Sequence, residues 1–517
     1  MFVEEHNHIL ATPRKCHLLP SHRKIDESQI GLIDKMSQSS IRTNLMMKYF
    51  SEESQGSQNV GFIELDARNY MRTRRKIEFS VGDSQWLLDY MNSMQIKNPH
   101  FFYVIQLNVD GKLTSIFWSD ARCRMDYSYF GDVVCLDPTY GINKYGMPFI
   151  PIVGVNHHLQ TILFGCALVL DETEYLFIWV LENWLQAMKG CHPKVILTDQ
   201  DSAITGAIAQ VLPRTIHRYC LWHSFQNAKR NLSKLFKRGS KFGKDLSYCA
   251  RFLETIEDFE IKWNELLAKY DLKENDWMLR MYRKRQQWVP VYSRDFFCAY
   301  MSTTQRSESI NKFFKWFLSK IMMLMDFVQG VEKALIKSQE KEIETDFKMN
   351  NVHPYLMLHM PIEEEASKLY TPAMFTKFQE ELLGSLCYRC EKIEDNEGIA
   401  IYKYWILERD VKLVKICFAS SLLVSCTCYK FEFTRLLCRH ILKVFIVANV
   451  DNIPSEYKLK CWTRDAKYGK VFDENDQRIE EDCQAHLTLR YSSLSHKASK
   501  IATKGSCSIE VYKVVMH

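Results

Sequence analysis

Hydrophobic and polar positions along the chain switch between helical and strand-like spacing, so several structured regions are predicted. Residues 26–95 have the spacing of helices joined by loops. From about residue 101 the pattern changes to short runs rich in β-branched and aromatic residues, which are typical of strands. The strand-like runs are FFYVIQL (101–107), LTSIFWS (113–119), DVVCLD (132–137), FIPIVGV (149–155) and ILFGCALV (162–169). The turn residues Asp110 and Gly111 predict a hairpin between the first two runs.

The segments that follow predict helices packed against these strands. A helical pattern over 174–189 carries an apolar stripe that includes Trp184, and a short buried strand is expected at 193–199. Another helix is expected over about 201–211. Several strands followed by a helix, a strand and a helix indicate a mixed α/β unit.

The rest of the chain is predicted to be helical before strands return. Residues 217–300 and 306–345 have helical spacing, whereas residues 350–395 have the pattern of an irregular, acidic connection. Strands are expected over 398–425, followed by a helix at about 439–448.

Composition narrows the class of protein. The 517 residues include 46% hydrophobic and 25% charged residues, which is the balance of a folded globular chain and excludes a disordered one. No apolar run approaches the roughly 20 residues of a membrane span, so no membrane partner is expected. The chain has 17 cysteines, and its first residues, MFVEEHNHILATPRK, contain no apolar stretch. We therefore expect no secretory signal, and free thiols in a reducing compartment.

Three cysteines and one histidine have the spacing of metal ligands. In SCTCYKFEFTRLLCRHILKVF (425–445), Cys426 and Cys428 are two positions apart, as are Cys438 and His440, and nine residues separate the pairs. Zinc favours four such sulfur and nitrogen ligands in a tetrahedron, and a short loop joins the pairs at little entropic cost. We predict one structural zinc ion here, because four protein ligands leave no open position for catalysis.

This CxC and CxH pattern resembles the SWIM zinc module, which is associated with DNA binding or protein contacts. The phrases KFEF and LLCRHILKVF are similar to the module as it occurs in the plant far-red-impaired-response family. Members of that family resemble Mutator-type transposases that have been recruited as regulators of transcription. This chain departs from the family pattern at Arg435, where a glycine usually stands three residues before the third ligand. A tight turn there would need a different backbone.

Three carboxylates of the α/β unit match catalytic positions of the same family. Asp137 and Asp199 each end a predicted strand, and Glu308 lies near the start of a predicted helix. Taken alone, three acids among 62 would be interpreted as solvated side chains. The surrounding words FGDVVCLDPTYGINKYGMPFIPIVGVNHH, VILTDQDSAITGAIAQVLP, HRYCLWH and MSTTQRSESIN resemble the family's transposase domain, in order, over about residues 60–460. The resemblance implies a DDE triad, whose carboxylates would bind Mg²⁺ or Mn²⁺ if it were active.

Two smaller motifs also match the family. Cys220 and His223, in CLWH, match its CxxH, for which structural packing and a metal or near-site role both stay open. His6 and His8 match the final ligands of the family's N-terminal zinc DNA-binding domain, whose cysteines would lie upstream of Met1. We therefore expect His6 and His8 to be solvated remnants.

Basic residues form two clusters that could contact DNA. They are Arg72, Arg74, Arg75 and Lys76 in the first, and Lys229, Arg230, Lys234, Lys237, Arg238, Lys241 and Lys244 in the second. The net charge of +6 permits nucleic-acid binding without requiring it. Contacts from these clusters would go to phosphates, so they would depend on salt and discriminate poorly between sequences. Nuclear-localisation signals and solvated helix faces are the alternatives.

The resemblance implies an α/β fold with an RNase H-like, DDE transposase-type domain, a helical insertion and a small SWIM-type zinc module. The expected organisation is a remnant of the N-terminal zinc DNA-binding domain (1–25), a helical or linker region (26–95), the transposase-like RNase H fold (96–345) with its helical insertion (213–300), a linker (346–397), the SWIM-type zinc finger (398–450) and a polar tail (451–517). Part of the tail is expected to be disordered.

The function implied by the resemblance is a nuclear, DNA-associated regulator of transcription with structural zinc and no enzymatic activity. Its partners would be DNA and family members in a homo- or hetero-oligomer, and the family name points to light signalling. The first alternative is an active Mutator-type DDE transposase or metal-dependent nuclease that uses the acidic triad. A further alternative is a protein-interaction subunit without DNA contact.

Overall fold

The computed structural model describes most of the chain. The described residues are 15, 18–38, 41, 43–78, 83–109, 113–139, 143–237, 239–253, 255–301, 313–314, 316–319, 322–396, 399–406, 409–417 and 423–467. The chain divides into two compact units, Met1–Tyr90 and Met91–His517. Within the described ranges, no helix combines the length and the apolar character needed to cross a membrane.

Helices make up the described part of the first unit. They are α1 (Glu27–Gln38), α2 (Thr43–Glu53), α3 (Glu64–Glu78) and the beginning of α4 (Asp83–Lys97). Ile33, Phe50 and Phe62 are buried together, and the last two meet edge to face with ring centroids 5.3 Å apart. The first predicted basic cluster lies within α3.

A seven-stranded mixed sheet is the centre of the second unit. Its strands are β1 (Phe102–Leu107), β2 (Leu113–Ser119), β3 (Val133–Leu136), β4 (Phe149–Val155), β5 (Thr161–Leu168), β6 (Val195–Thr198) and β7 (Ile216–Tyr219). They are arranged in the order β1-β2-β5-β4-β3-β6-β7. Strands β3, β6 and β7 are mutually parallel. The other four neighbouring pairs, β1 with β2, β2 with β5, β5 with β4 and β4 with β3, are antiparallel. The mixed α/β unit predicted from the sequence is therefore present.

Three helices share one hydrophobic core with this sheet. They are α5 (Ala121–Phe130), α6 (Glu174–Ala187) and α7 (Ser202–Val211). Tyr127 packs edge to face on both Phe164 and Trp184, with centroids 5.1 and 5.4 Å apart. Asp120 and Asp201 cap α5 and α7 by accepting backbone hydrogen bonds of 2.7 and 3.0 Å, each of which typically stabilises a helix by about 1 kcal/mol.

The predicted helical insertion forms a core of its own. It contains α8 (Leu221–Asn231), α9 (Phe242–Arg251), α10 (Ile256–Lys269), α11 (Asp276–Arg283) and α12 (Arg285–Trp288). Phe242, Phe259 and Trp263 are at most 1% exposed in this core.

The segment expected to be an irregular linker contains regular structure. After α13 (Leu324–Asn351) come α14 (Pro361–Leu369) and α15 (Pro372–Ser385). The expectation of an irregular connection over 350–395 is therefore wrong for these residues. Helices α14 and α15 each have a proline in the first turn, where proline favours the start of a helix rather than interrupting it.

A second sheet and two short helices follow. The strands are β8 (Arg389–Asn396), β9 (Ile399–Ile406), β10 (Arg409–Cys417) and β11 (Leu423–Cys426), and the helices are α16 (Lys430–Thr434) and α17 (Arg439–Val447). The sheet is antiparallel in the order β11-β10-β9-β8, and α17 packs against α15. The sheet begins at Arg389, whereas the sequence predicted its first strand at residue 398. The prediction missed β8 because this edge strand is charged and has no apolar pattern.

The beginning of the polar tail is packed rather than loose. Trp462 is 1% exposed, and its indole N–H donates to the carbonyl of Thr434 at 2.9 Å. Lys467 Nζ lies 2.9 Å from Asp126 and 2.7 Å from Glu342. Composition gave no sign of these contacts, because they depend on tertiary partners that are distant in sequence. The rest of the tail, 468–517, lies outside the described residues.

Candidate zinc centre and carboxylate cluster

The second sheet and α17 bring the four predicted zinc ligands together. Cys426 is the last residue of β11, and Cys428 lies in the turn that follows. Cys438 is the N-cap of α17, where its sulfur accepts from the N–H of Ile441 at 3.5 Å, and His440 lies in the first turn. A strand end and a helix start thus support the two pairs, as the sequence predicted.

The geometry of the four ligand atoms fits a zinc ion. All four lie within 4.8 Å of one another, and Cys426 Sγ is 3.6 Å from His440 Nδ1. Tetrahedral zinc with bonds of about 2.0–2.3 Å separates neighbouring ligand atoms by about 3.3–3.8 Å. Each of the four residues is at most 4% exposed, so the pairs form a closed site.

The electrostatic surroundings of the site favour the thiolate form of Cys426 and disfavour that of Cys438. Hydrogen bonds from the Cys428 and Cys438 thiols lower the pKa of Cys426, whereas burial raises the pKa of Cys438 well above its usual range. One thiolate is therefore favoured before any cation binds. A zinc ion would supply the charge that also stabilises the other two thiolates.

Aromatic side chains from outside the ligand segment enclose the histidine. The ring of Tyr404, on β9, stacks on His440 with centroids 4.1 Å apart and planes inclined by 17°. Its hydroxyl lies 3.5 Å from Cys426 Sγ, where it can donate to the thiolate. Tyr388 meets the same imidazole edge-on at 4.9 Å. Such partners orient ligands and tune the metal, and the spacing of the ligands gave no indication of them.

A buried glutamate ties α15 to both halves of the ligand loop. Glu381 accepts from the backbone N–H of Arg439 at 3.0 Å, from its guanidinium at 2.8 Å, and from Lys430 Nζ at 2.7 Å. Burial alone would raise the pKa of Glu381, but the hydrogen bonds from Arg439 and the charge of Lys430 lower it to about 2. Glu381 is therefore ionised at neutral pH and holds the residue between Cys438 and His440 in place.

Arg435 occupies the turn for which the family resemblance predicted a glycine. It has φ 60° and ψ 28°, the left-handed conformation that glycine adopts at little cost, and its N–H donates to the carbonyl of Phe431 at 2.6 Å. The guanidinium lies over the ring of Phe297 at 5.1 Å from the centroid. The turn thus keeps a glycine-like backbone without a glycine, and a cation–π contact offsets part of the strain.

The carboxylates form a second candidate site at one edge of the seven-stranded sheet. Asp137 directly follows β3 and Asp199 directly follows β6. These strands are parallel neighbours in which Cys135 pairs with Leu197, so both acids leave the sheet at the same edge. Asp137 is 4% exposed. Glu308 lies outside the described residues, as do His6 and His8.

The CxxH motif lies beside this cluster. His223, in the first turn of α8, has its Nε2 3.6 Å from Asp137 Oδ1. Burial and, to a smaller extent, the charge of Arg230 lower the pKa of His223 to about 4, so the ring is neutral at pH 7. Cys220 is buried at the N-cap of α8, and its N–H donates to the carbonyl of Thr198 at 2.6 Å. His223 therefore faces Asp137, while Cys220 joins α8 to the strand that precedes Asp199.

A further acid, which the sequence pattern did not indicate, lies at this edge. Burial raises the pKa of Glu172 to about 7, with additional contributions from the charges of Asp199 and Asp201. Glu172 lies shortly after β5, which runs parallel to β3, so strand direction could have placed it at the same edge. Burial and the charge of Asp201 also raise the pKa of Asp199 to about 6.

The cluster differs from the zinc site in how closely its atoms approach. Among the described residues, the close groups of at least three potential ligands are the Cys₃His set and a His157, His158 and Asp346 set, and the carboxylates form no such group. The described part of the cluster therefore gives Mg²⁺ or Mn²⁺ no assembled site.

Comparisons with known proteins cover both regions. Residues 133–227 match the MULE transposase domain, and residues 411–449 match the SWIM zinc finger. Protein FAR1-RELATED SEQUENCE 5 of Arabidopsis thaliana is 40% identical over 509 residues, which cover 98% of this chain and 64% of that protein. Protein FAR-RED IMPAIRED RESPONSE 1 of the same plant is 34% identical over 516 residues, 100% of this chain and 62% of that protein. Protein FAR1-RELATED SEQUENCE 9 is 35% identical over 441 residues, 85% of this chain and 80% of that protein.

The fold and the sites define a mixed α/β, transposase-type domain followed by a SWIM zinc finger. The chain belongs to the family of FAR-RED IMPAIRED RESPONSE 1 and the FAR1-related sequences, which confirms the resemblance seen in its motifs. The buried Cys₃His cluster inside the SWIM match supports Zn²⁺ as cofactor. The chain spans slightly less than two thirds of the first two relatives, 64% and 62% of their lengths.

Proposed function

We propose that this chain is a transposase-derived regulator of transcription that binds DNA in the nucleus, with Cys426, Cys428, Cys438 and His440 as its structural zinc ligands. Membership of the family supports this proposal. The name of FAR-RED IMPAIRED RESPONSE 1 refers to a light response, so light signalling is the pathway proposed. Action as a homo- or hetero-oligomer with family members is part of the same proposal.

We further propose that β3 to β7 form an RNase H-like unit. Their order is β5-β4-β3-β6-β7, in which the first three are antiparallel and the last two are parallel to β3. This order is typical of RNase H-like domains, where acids lie on the central strand and at the end of its parallel neighbour. Asp137 and Asp199 match those two positions. In the proposed regulator this body serves as a platform for DNA binding and assembly.

An exposed basic segment around α8 and α9 is the observation that carries DNA binding. Its exposed cations are Lys229, Arg230, Lys234, Lys237, Lys241 and Lys244. Within the described part of the chain, none of the six forms an ion pair, and the neighbouring Asp245 is paired with Lys269 at 2.7 Å. Cations that are not neutralised by protein carboxylates are available to phosphates. The first turn of α8 also carries His223, so the segment starts beside the carboxylate edge.

Fluorescence anisotropy of the full chain with a labelled DNA duplex tests this proposal. We expect binding that weakens steeply with salt, because each phosphate contact contributes about −0.9 to the slope of log K against log salt. Replacing Lys234, Lys237 and Lys241 with Gln should weaken binding to all sequences and reduce the magnitude of the slope by about 3.

A matched control removes the same charge elsewhere. Lys337, Lys341 and Lys348 are exposed on α13, and replacing them with Gln should leave the salt slope at the wild-type value. Equal weakening in both variants would contradict the basic segment as the contact surface. No salt-dependent binding at low ionic strength would instead favour a protein-interaction subunit.

The second candidate function is a DDE transposase or metal-dependent nuclease, and the carboxylate edge is the observation that favours it. Asp137 and Asp199 follow adjacent parallel strands, and Glu308 would complete the triad. Carboxylates brought together in this way are the hard oxygen ligands that Mg²⁺ and Mn²⁺ prefer. Nicking of supercoiled plasmid in the presence of Mn²⁺, lost in Asp199→Ala, is the result that would favour the enzyme over the regulator.

A further inference from the structure

Two adjacent buried histidines and a half-buried aspartate form a cluster that shares no residue with the two sites described above. His157 and His158 lie in the turn between β4 and β5, and Asp346 lies near the end of α13. Strand β4 runs antiparallel to β3, so this turn lies at the opposite edge of the sheet from Asp137. The cluster therefore belongs neither to the carboxylate edge nor to the zinc finger.

The three side chains approach one another closely enough to be candidate metal ligands. His158 Nε2 lies 2.7 Å from Asp346 Oδ1, and His157 Nε2 lies 3.7 Å from the same oxygen. Nitrogen and oxygen ligands of tetrahedral zinc are about 3.3–3.5 Å apart, so His157 and Asp346 are close to that spacing, whereas His158 and Asp346 are hydrogen-bonded and would move apart to hold an ion. All three ligand atoms lie within 4.8 Å of one another, the same limit that the Cys₃His set of the zinc finger meets.

The histidines are held in place but incompletely satisfied. His157 and His158 side chains are 3% and 0% exposed, and the ring of His157 stacks on Phe130 with planes inclined by 5°. The separation of 3.7 Å between His157 and Asp346 is too long for a normal hydrogen bond. The Nδ1 atoms of both histidines are buried without a hydrogen-bond partner among the described residues. Two buried imidazoles thus converge on one carboxylate that can hydrogen-bond well to only one of them.

The surroundings fix the turn and leave one side open. Asn156 Oδ1 accepts from the N–H groups of His158 and Gln160 at 3.0 and 2.9 Å, and its amide donates to Glu342 at 3.0 Å. The side chain of Asp346 is 41% exposed, so solvent reaches the cluster from that side. The turn is therefore rigid, while an exchangeable water could occupy a fourth ligand position.

The neighbouring buried charges balance one another. Glu342 accepts from Arg122 at 2.7 Å and pairs with Lys467 at 2.7 Å, and Lys467 also pairs with Asp126 at 2.9 Å. Two cations thus face two anions within this network. Asp346 remains as the anion that faces the two imidazoles.

We propose that His157, His158 and Asp346 form a second metal site, for a divalent transition-metal ion such as Zn²⁺. Two imidazoles and one carboxylate suit ions of borderline softness, and three protein ligands leave one position for water. The bound ion would join the β4–β5 turn to α13. The site does not depend on the proposed function, because it uses neither the basic segment nor the carboxylate edge.

Metal content of the full chain tests the proposal. Inductively coupled plasma mass spectrometry on protein dialysed against metal-free buffer and reconstituted with Zn²⁺ should find two zinc ions per chain. Asp346→Asn and His158→Gln should each retain one ion, and Cys438→Ser should also retain one. As a matched control, Glu344→Gln on the exposed side of the same helix should retain two.

Reconstitution with Co²⁺ separates the two sites without any variant. Cobalt in the finger would show thiolate-to-metal charge transfer, whereas cobalt bound by imidazole and carboxylate would show d–d bands alone. We expect both classes in the wild type, and only the second in Cys438→Ser. One zinc ion per chain in the wild type, unchanged in Asp346→Asn, would overturn the proposal. If both His158→Gln and Asp346→Asn fail to fold, absence of the non-thiolate cobalt class from the wild type would overturn it equally.

Discussion

The zinc finger and the carboxylate edge are both assembled from residues that a sequence pattern can suggest, but they differ in how complete they are. The finger takes its ligands from one segment, 426–440, which aromatic rings and the ion pair between the buried Glu381 and Arg439 hold in place. The carboxylate edge draws Asp137 and Asp199 from distant strands. Ligands that are close in sequence are positioned by their own short segment. A site whose residues are far apart in sequence is positioned only when the whole sheet has formed.

The two regions also differ in how well their buried carboxylates are paired with cations. In the finger, the buried Glu381 has cationic partners on two sides and a lowered pKa. At the sheet edge, burial raises the pKa of both Asp199 and Glu172, and Asp199 Oδ1 is buried without a hydrogen-bond partner among the described residues. The finger is thus a satisfied structural site, while the edge retains the cost of crowded carboxyl groups.

Removing a ligand of the finger should have the largest effect of any single change. Cys438→Ser should lower the zinc content by one ion per chain and unfold the finger, because structural zinc contributes about 10–16 kcal/mol in zinc-finger peptides. Mass spectrometry of metal content and thermal melting measure the two effects. Cys387→Ser, at an exposed cysteine outside the cluster, is the control. Unchanged zinc content in Cys438→Ser would contradict Cys438 as a zinc ligand and the finger as the more complete of the two sites.

Removing the buried glutamate tests how far the finger extends beyond its ligands. Glu381→Gln removes the buried anion that Arg439 and Lys430 contact, and because those two cations stay partly solvated it should cost about 1–3 kcal/mol and weaken zinc binding about 10–100-fold. Competition with a chromophoric chelator measures the affinity. Glu380→Gln removes the same charge from an exposed position of α15 and should have little effect. Equal zinc affinities in the two variants would restrict the finger to residues 411–449.

Neutralising an acid at the sheet edge should stabilise the protein rather than weaken it. The folded-state pKa of Asp199 is raised to about 6, and about 3.9 is usual for an unfolded chain. The stability that Asp199 contributes is therefore complete below about pH 4 and lost as the pH rises to about 6. Asp199→Asn should gain roughly 1–2 kcal/mol at pH 7.5, allowing for partial solvent screening, and nothing at pH 4.

Denaturant unfolding of the full chain at both pH values measures this gain. Asp132→Asn, at a half-exposed position before β3 where the carboxylate is paired with Lys194, provides the comparison and should not stabilise the protein at pH 7.5. The free energy of unfolding of the wild type is also measured with Mn²⁺. If Mn²⁺ raises it to the value of Asp199→Asn, the edge holds an assembled cation site and the contrast with the finger is removed.

The smallest predicted effect concerns the left-handed turn inside the finger. Arg435→Gly and Arg435→Ala both lose the contact with Phe297, but only glycine relieves the positive φ. The glycine variant should therefore be more stable than the alanine variant by about 1 kcal/mol. Thermal melting of the two zinc-loaded proteins measures the difference. Equal stabilities would mean that the turn relaxes to another backbone.

Much of the finger could be predicted from sequence because its information is local. The spacing of its cysteines and histidine indicated the ligands, and the strand before Cys426 and the helix after Cys438 were both expected. Tyr404 was not found, because its contact with Cys426 depends on the pairing of β9, β10 and β11. Glu381 was missed for a related reason: it lies on a helix in a segment that was interpreted as a linker.

The carboxylate edge could be predicted only in part. Runs of buried residues indicated the strands before Asp137 and Asp199, but their adjacency depends on strand order, which no local pattern encodes. Glu172 lies in a loop, where an acid is ordinarily solvated, and only the direction of β5 brings it to this edge. The pairing of Lys467 with Glu342 joins residues more than a hundred positions apart, so hydropathy could not indicate it.

The most direct test asks whether the full chain binds DNA without cutting it. Supercoiled plasmid is incubated with the zinc-loaded protein and Mn²⁺ at low salt, and one gel follows both mobility shift and conversion to the nicked form. We expect the wild type and Asp199→Ala to shift the plasmid equally and to leave it supercoiled. Nicking by the wild type that Asp199→Ala abolishes, or a plasmid that neither protein shifts, would contradict a regulator that uses its transposase-type domain to bind DNA.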